Sequence, residues 1–229
     1  MPEPDFLAWI ERDSETFASV LAGGDLDARV PGCPDWALRD LAAHLGRVQR
    51  FWAAVVRVGA DTKPAHPEIN PPADGPALAD WMRAASHYLL DALRTTDPAT
   101  PAWVWWRDDR TVGAIARHQV QEAAVHRWDA QSAVGEPEPI AQGAADDGID
   151  EFVWISRQLR DPAPILLVAT DSGRSFPVAD PAVCDGPSTV TVSASASDLV
   201  LLLHGRIGPA AVRVDGNRAV LDAFLVPVS

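Results

Sequence analysis

Lysine is nearly missing from this chain: Lys63 stands alone against eighteen arginines. Cysteine is scarce too. Cys33 and Cys184 lie far apart in sequence and form no CxxC pair, which argues against a thiol-disulfide motif and suits a reducing compartment. No apolar run approaches the roughly 18 residues that a bilayer span requires. The opening MPEPDFLAWIERDSE lacks a basic segment and a continuous apolar one, so no signal peptide is expected. Positive charge is also short overall. A net charge of −13 and a pI near 4.7 argue against nucleic acid and anionic membranes as partners. The expectation is a soluble cytoplasmic protein, a monomer or homodimer, whose partners are small molecules.

What is present is enough apolar material for a real core: 47% of 229 residues. The first part reads as helices. Phe6, Trp9, Ile10, Phe17, Val20 and Leu21 recur at mostly helical spacing over residues 4–22, and Gly23-Gly24 stop them. Asp35 is the expected N-cap of a second helix to about Val58, striped by Trp36, Leu38, Leu41, Leu45, Val48 and Trp52. Five prolines between 60 and 76 make a stiff connection of the kind that crosses over a bundle. Further helices are expected at about 77–95, 112–134 and 142–159, with the aromatic WVWW (103–106) as a strand-like or irregular wall. After Asp161 the texture turns to β: PILLVAT, SFPVA and STVTVSA, then a short helix in SDLVLLLHGR capped by Ser197, a strand in VRVDG and a closing helix in NRAVLDAFL. The expected domains are therefore an all-α part, 1–160, and a small α+β part, 161–229.

One stripe on the fourth helix carries chemistry. His118, Glu122 and His126 advance by four, about 6 Å of rise per step. His118 and His126 are then about 12 Å apart along the axis and cannot share an ion held at about 2 Å. Glu122 can pair with either histidine, and spacing does not choose. A third ligand must come from another helix, and His44 in RDLAAHLGR lies among Leu41, Leu45 and Val48 on or beside a packing face. Bundles build metal sites from side chains on facing helices, and two imidazoles with one carboxylate leave an ion such as zinc one open position. The plainer readings are a core histidine with a satisfied hydrogen bond and a surface i,i+4 pair. Two non-catalytic alternatives stand beside an enzyme: a closed metal-binding protein, and a small-ligand-binding protein with the bundle as scaffold.

VPGCPDWALRDLAAHLGRV (30–48) and EAAVHRWDAQSAVG (122–135) resemble the two signatures of the mycothiol-dependent maleylpyruvate isomerase family, within the DinB-like four-helix metalloproteins. SASDLVLLLHGRIGPAAVRVDGNRAVLDAFL (195–225) resembles that family's C-terminal domain. The resemblance implies a DinB-like four-helix bundle followed by a small α+β domain. It implies zinc, or another divalent ion, bound by His44, Glu122 and His126, and so decides against His118. Where relatives often carry His before the Glu, this chain has Gln121. The implied activity is that of a thiol transferase or isomerase using mycothiol. The metal favours the thiolate, which adds to the double bond of a small electrophile such as maleylpyruvate; rotation and thiol elimination then give the trans isomer. The resemblance also implies a C-terminal arginine, Arg206, as catalytic charge partner. Asp129 is a candidate to orient His126, and Asp40 either to orient His44 or, more simply, to cap its helix. Trp103, Trp105, Trp106 and Trp128 are either cleft wall or core. The arginine-rich, lysine-poor composition is compatible with the actinobacterial cells that make mycothiol.

Overall fold

The computed structural model describes residues 5–59, 63–65, 70–159, 161, 163–179 and 189–226. The chain divides into two compact units, Met1–Glu138 and Pro139–Ser229.

The first unit holds four long helices: α1 (Phe6–Gly23), α2 (Leu38–Val58), α3 (Gly75–Thr95) and α4 (Val112–Val134). Both α1 and α2 pack against α3 and α4. The core between them draws on Phe17 and Leu21 of α1, Leu38, Leu41 and Leu45 of α2, Leu78 and Met82 of α3, and Ala130 of α4. Each helix start is fixed locally. Asp5, Asp74 and Thr111 accept the N–H groups of Ala8, Ala77 and Ala114, which would otherwise lack a partner. Helix α2 begins two residues later than Asp35 predicts: Asp40 reaches back to the Ala37 N–H at 2.9 Å, so Asp40 is the capping carboxylate. At Gly46 the Trp81 ring of α3 lies where a Cβ would stand, so this glycine lets α3 pack close to α2 two residues past His44.

The second unit opens with α5 (Gln142–Leu159), followed by β1 (Ile165–Ala169), β2 (Ser175–Pro177), β3 (Val190–Ala194), α6 (Ala196–Leu203), a 3₁₀ turn at Pro209–Ala211, β4 (Arg213–Gly216) and α7 (Arg218–Leu225). The strands lie in the order β2-β1-β3-β4. The central pair β1/β3 is parallel and the two outer pairs are antiparallel. Buried Ile165, Leu167 and Ala169 alternate along β1, and buried Val190 and Val192 along β3. Helix α5 packs on α6 and β2, so the compact division falls at Glu138 and Pro139, ahead of this helix, whereas the change of sequence texture falls after it. Ser195, not Ser197, caps α6; Ser197 is buried and its hydroxyl accepts the Ile140 N–H. The chain is thus α+β, a helical bundle followed by a small mixed sheet with helices. No described helix is long and apolar enough to cross a membrane.

Candidate metal centre

Helices α2 and α4 bring His44, Glu122 and His126 together. Buried Leu41 and Leu45 anchor α2 on either side of His44, whose side chain stays about one-third exposed beside the Trp36 ring, 5.0 Å between centroids. On α4, Glu122 and His126 stand one turn apart on a helix whose neighbouring Ala123, Ala124 and Val125 are buried. The His44 and His126 rings meet edge to face at 5.0 Å.

Glu122 Oε2 lies 3.8 Å from His44 Nε2 and 3.5 Å from His126 Nε2. One donor atom from each of the three residues falls within 4.8 Å of the others. Oε2 is buried and has no hydrogen-bond partner. Such an oxygen costs about 1–3 kcal/mol or more if nothing else satisfies it. A tetrahedral ion with bonds of about 2.0–2.1 Å separates neighbouring donors by about 3.3 Å, so the spacing here fits a shared ion after small side-chain adjustments. The three residues fit a divalent metal by this test.

The electrostatics favour the same use. Burial works against ionisation of Glu122, yet His126 and His44 outweigh it and hold the carboxyl well below the usual carboxylate range. Burial likewise works against a charged His126, but Asp129 and Glu122 raise it to about 8. Asp129 is fully buried, and its Oδ2 lies 2.9 Å from His126 Nδ1. With Nδ1 carrying the proton toward Asp129, Nε2 presents its lone pair toward Glu122 and His44.

His118 has a different setting. Its ring sits among Trp106, Trp105 and Trp52, at 5.1, 5.8 and 6.1 Å. WVWW belongs to an irregular segment closed by a bridge between Pro101 and Thr111. Trp106 is buried core, whereas Trp105 is 46% exposed. His87 is exposed on α3. His204 packs on Phe152 in the second unit, and Arg206 Nη1 donates to the His204 carbonyl at 2.8 Å. Cys33 is half-buried against the bundle core. His66 and Cys184 lie outside the described residues.

Sequence reasoning missed a cleft beside His44. It has a volume of about 790 Å³, and Asp35, Trp36, Arg39, Asp40, His44 and Arg47 are among its lining residues. The signal was there: in HLGR, Arg47 stands three residues after His44, on the same side of the helix.

The profile of the mycothiol maleylpyruvate isomerase N-terminal domain matches residues 7–131, and that of the same family's C-terminal domain matches residues 155–223. Two crystal structures are similar over 95% of either chain. That of a mycothiol-dependent maleylpyruvate isomerase aligns with a TM-score of 0.71 at 18% identity. That of a histidine-to-alanine variant of such an isomerase aligns with a TM-score of 0.72 at 16% identity. At these identities the likeness establishes the fold. No curated protein matches the chain significantly by sequence.

Proposed function

Because the chain belongs to the mycothiol-dependent maleylpyruvate isomerase family, we propose that it is a metal-dependent enzyme using a low-molecular-weight thiol, as isomerase or S-transferase, on a small electrophile such as maleylpyruvate. The observation that carries this reading is the buried, unsatisfied Glu122 Oε2 set between two imidazole nitrogens. His44, Glu122 and His126 would hold the ion; zinc suits the donor set, and other divalent ions suit it too. When bound, the metal supplies positive charge that favours the thiolate form of a thiol presented to it.

The chain's own residues do the rest. Asp129 holds the proton of His126 on Nδ1 and keeps Nε2 free for the site. Glu122 contributes a full negative charge, since its neighbours keep it ionised. His44 stands on the partly exposed side, next to the cleft through which a thiol and an electrophile can approach. Arg206 is proposed, on the family resemblance, as charge partner of an acidic substrate.

Metal analysis of the purified protein tests the site, together with conversion of maleylpyruvate in the presence of mycothiol. The expected result is one ion per chain and thiol-dependent turnover, both lost in His44→Ala. Stoichiometric metal retained in that variant contradicts the ligand set. A metal-loaded protein without thiol-dependent turnover would favour a binding protein over an enzyme.

A further inference from the structure

The cleft beside His44 is chemically lopsided. At the N-terminal end of α2 it presents carboxylates: Asp35, and Asp40, which is tied to the Ala37 N–H. Arg39 is also at this end, but its guanidinium is engaged by Asp27 at 2.8 Å. Seven residues past Asp40, about 10 Å along the helix, stands Arg47. It is exposed, and no described residue accepts a hydrogen bond from its guanidinium or pairs with it.

That freedom sets it apart. In the first unit Arg12, Arg39, Arg57, Arg83 and Arg94 each hold a carboxylate, and Arg50 donates to the Gly46 and Trp81 carbonyls. Arg29 is also unengaged among the described residues, but it does not line the cleft. Among the described residues Arg47 is therefore the unengaged cation lining the cleft, one turn of helix from a proposed metal ligand, where side chains stand about 5–6 Å apart. A planar guanidinium with five donors is suited to a carboxylate, which it can hold through two parallel hydrogen bonds.

We propose that Arg47 anchors a carboxylate of the ligand, so that the cleft selects short mono- or dicarboxylates whose other end reaches the His44 side of the site. Its place in turnover rests on the isomerase reading above; the anion anchor itself does not. Asp35 and Asp40 repel a carboxylate from the opposite end of the cleft, which fixes the direction in which an acidic ligand lies.

Calorimetric titration of the full-length protein with maleate and with its uncharged dimethyl ester tests this, in the metal-loaded and chelated forms. The wild type should bind maleate at least tenfold more tightly than the ester in both forms. Arg47→Ala should weaken maleate at least tenfold and leave the ester unchanged. Arg47→Lys should recover part of the loss, and Arg29→Ala should change neither. Unchanged melting temperature and metal content would show that the fold is intact. The proposal is overturned if the wild type shows no preference for maleate, if Arg47→Ala binds maleate like the wild type, or if Arg29→Ala shows the same loss. If turnover is absent but the maleate loss in Arg47→Ala is seen, the isomerase reading fails and the anchor stands. If turnover is present but Arg47→Ala leaves maleate binding and KM unchanged, the anchor fails alone.

Discussion

Helix α4 carries two histidines, each one turn from Glu122, and their surroundings are opposite. His126 has a buried carboxylate behind it, Asp129, and a second imidazole, His44, in front. His118 has tryptophans at three sides. The same residue at the same spacing is thus backed by a carboxylate at one end of the stripe and set among tryptophan rings at the other. A carboxylate on Nδ1 directs the lone pair of Nε2 outward.

The sharpest way to break this contrast is to delete each histidine in turn. His126→Ala, like Glu122→Ala, should abolish stoichiometric metal binding, with affinity lowered at least about 100-fold. His118→Ala should stay within about threefold of wild type by the same chelator-competition assay. Equal losses from both would mean that α4 uses its histidines alike.

Asp129→Asn tests the support behind His126. Metal affinity should fall by about 10- to 100-fold while one ion per chain is still reached at saturating metal. An unchanged affinity would reduce Asp129 to a packing residue.

Acidity should separate the two ends next. An ion needs His126 neutral, and that imidazole is raised to about 8 in the metal-free fold. Metal affinity should therefore fall about tenfold per pH unit below 8. The stability of the chelated protein runs the other way. A raised histidine contributes fully below its ordinary value of 6.5 and loses that contribution as pH rises through 8, about 2 kcal/mol in all. Urea melts of the chelated protein at pH 6 and 9 measure this. The difference should shrink in Asp129→Asn, which removes one cause of the shift. It should persist in His118→Ala, the smallest effect of the series.

Much of this was legible in the residues. The helical stripes located the seven α-helices found among the described residues, because buried Leu, Ile, Val and Phe must recur at the helical period to reach one core. Alternating burial in STVTVSA and the dense run PILLVAT located the central strands. Cap assignments erred where a nearby side chain competed. Asp40 rather than Asp35 serves α2, and Ser195 rather than Ser197 serves α6, since capping depends on backbone angles that composition does not specify. The compact units meet ahead of α5, whereas the sequence texture changes after it. A change from helix to strand texture marks secondary structure, whereas α5 joins the sheet through packing with α6 and β2. At the site, spacing excluded a shared ion for His118 and His126 but left Glu122 free to choose. The place of Arg47 beside His44 is legible in HLGR, but the cleft is not, since it also needs Pro71 and Pro72, whose position against α2 no spacing specifies.

The most direct test is anomalous X-ray diffraction at the zinc edge from crystals of the purified protein. A single strong peak is expected within bonding distance of His44 Nε2, Glu122 Oε2 and His126 Nε2. A peak centred on His118, or no peak at the three donors in zinc-supplemented crystals, would contradict this ligand set.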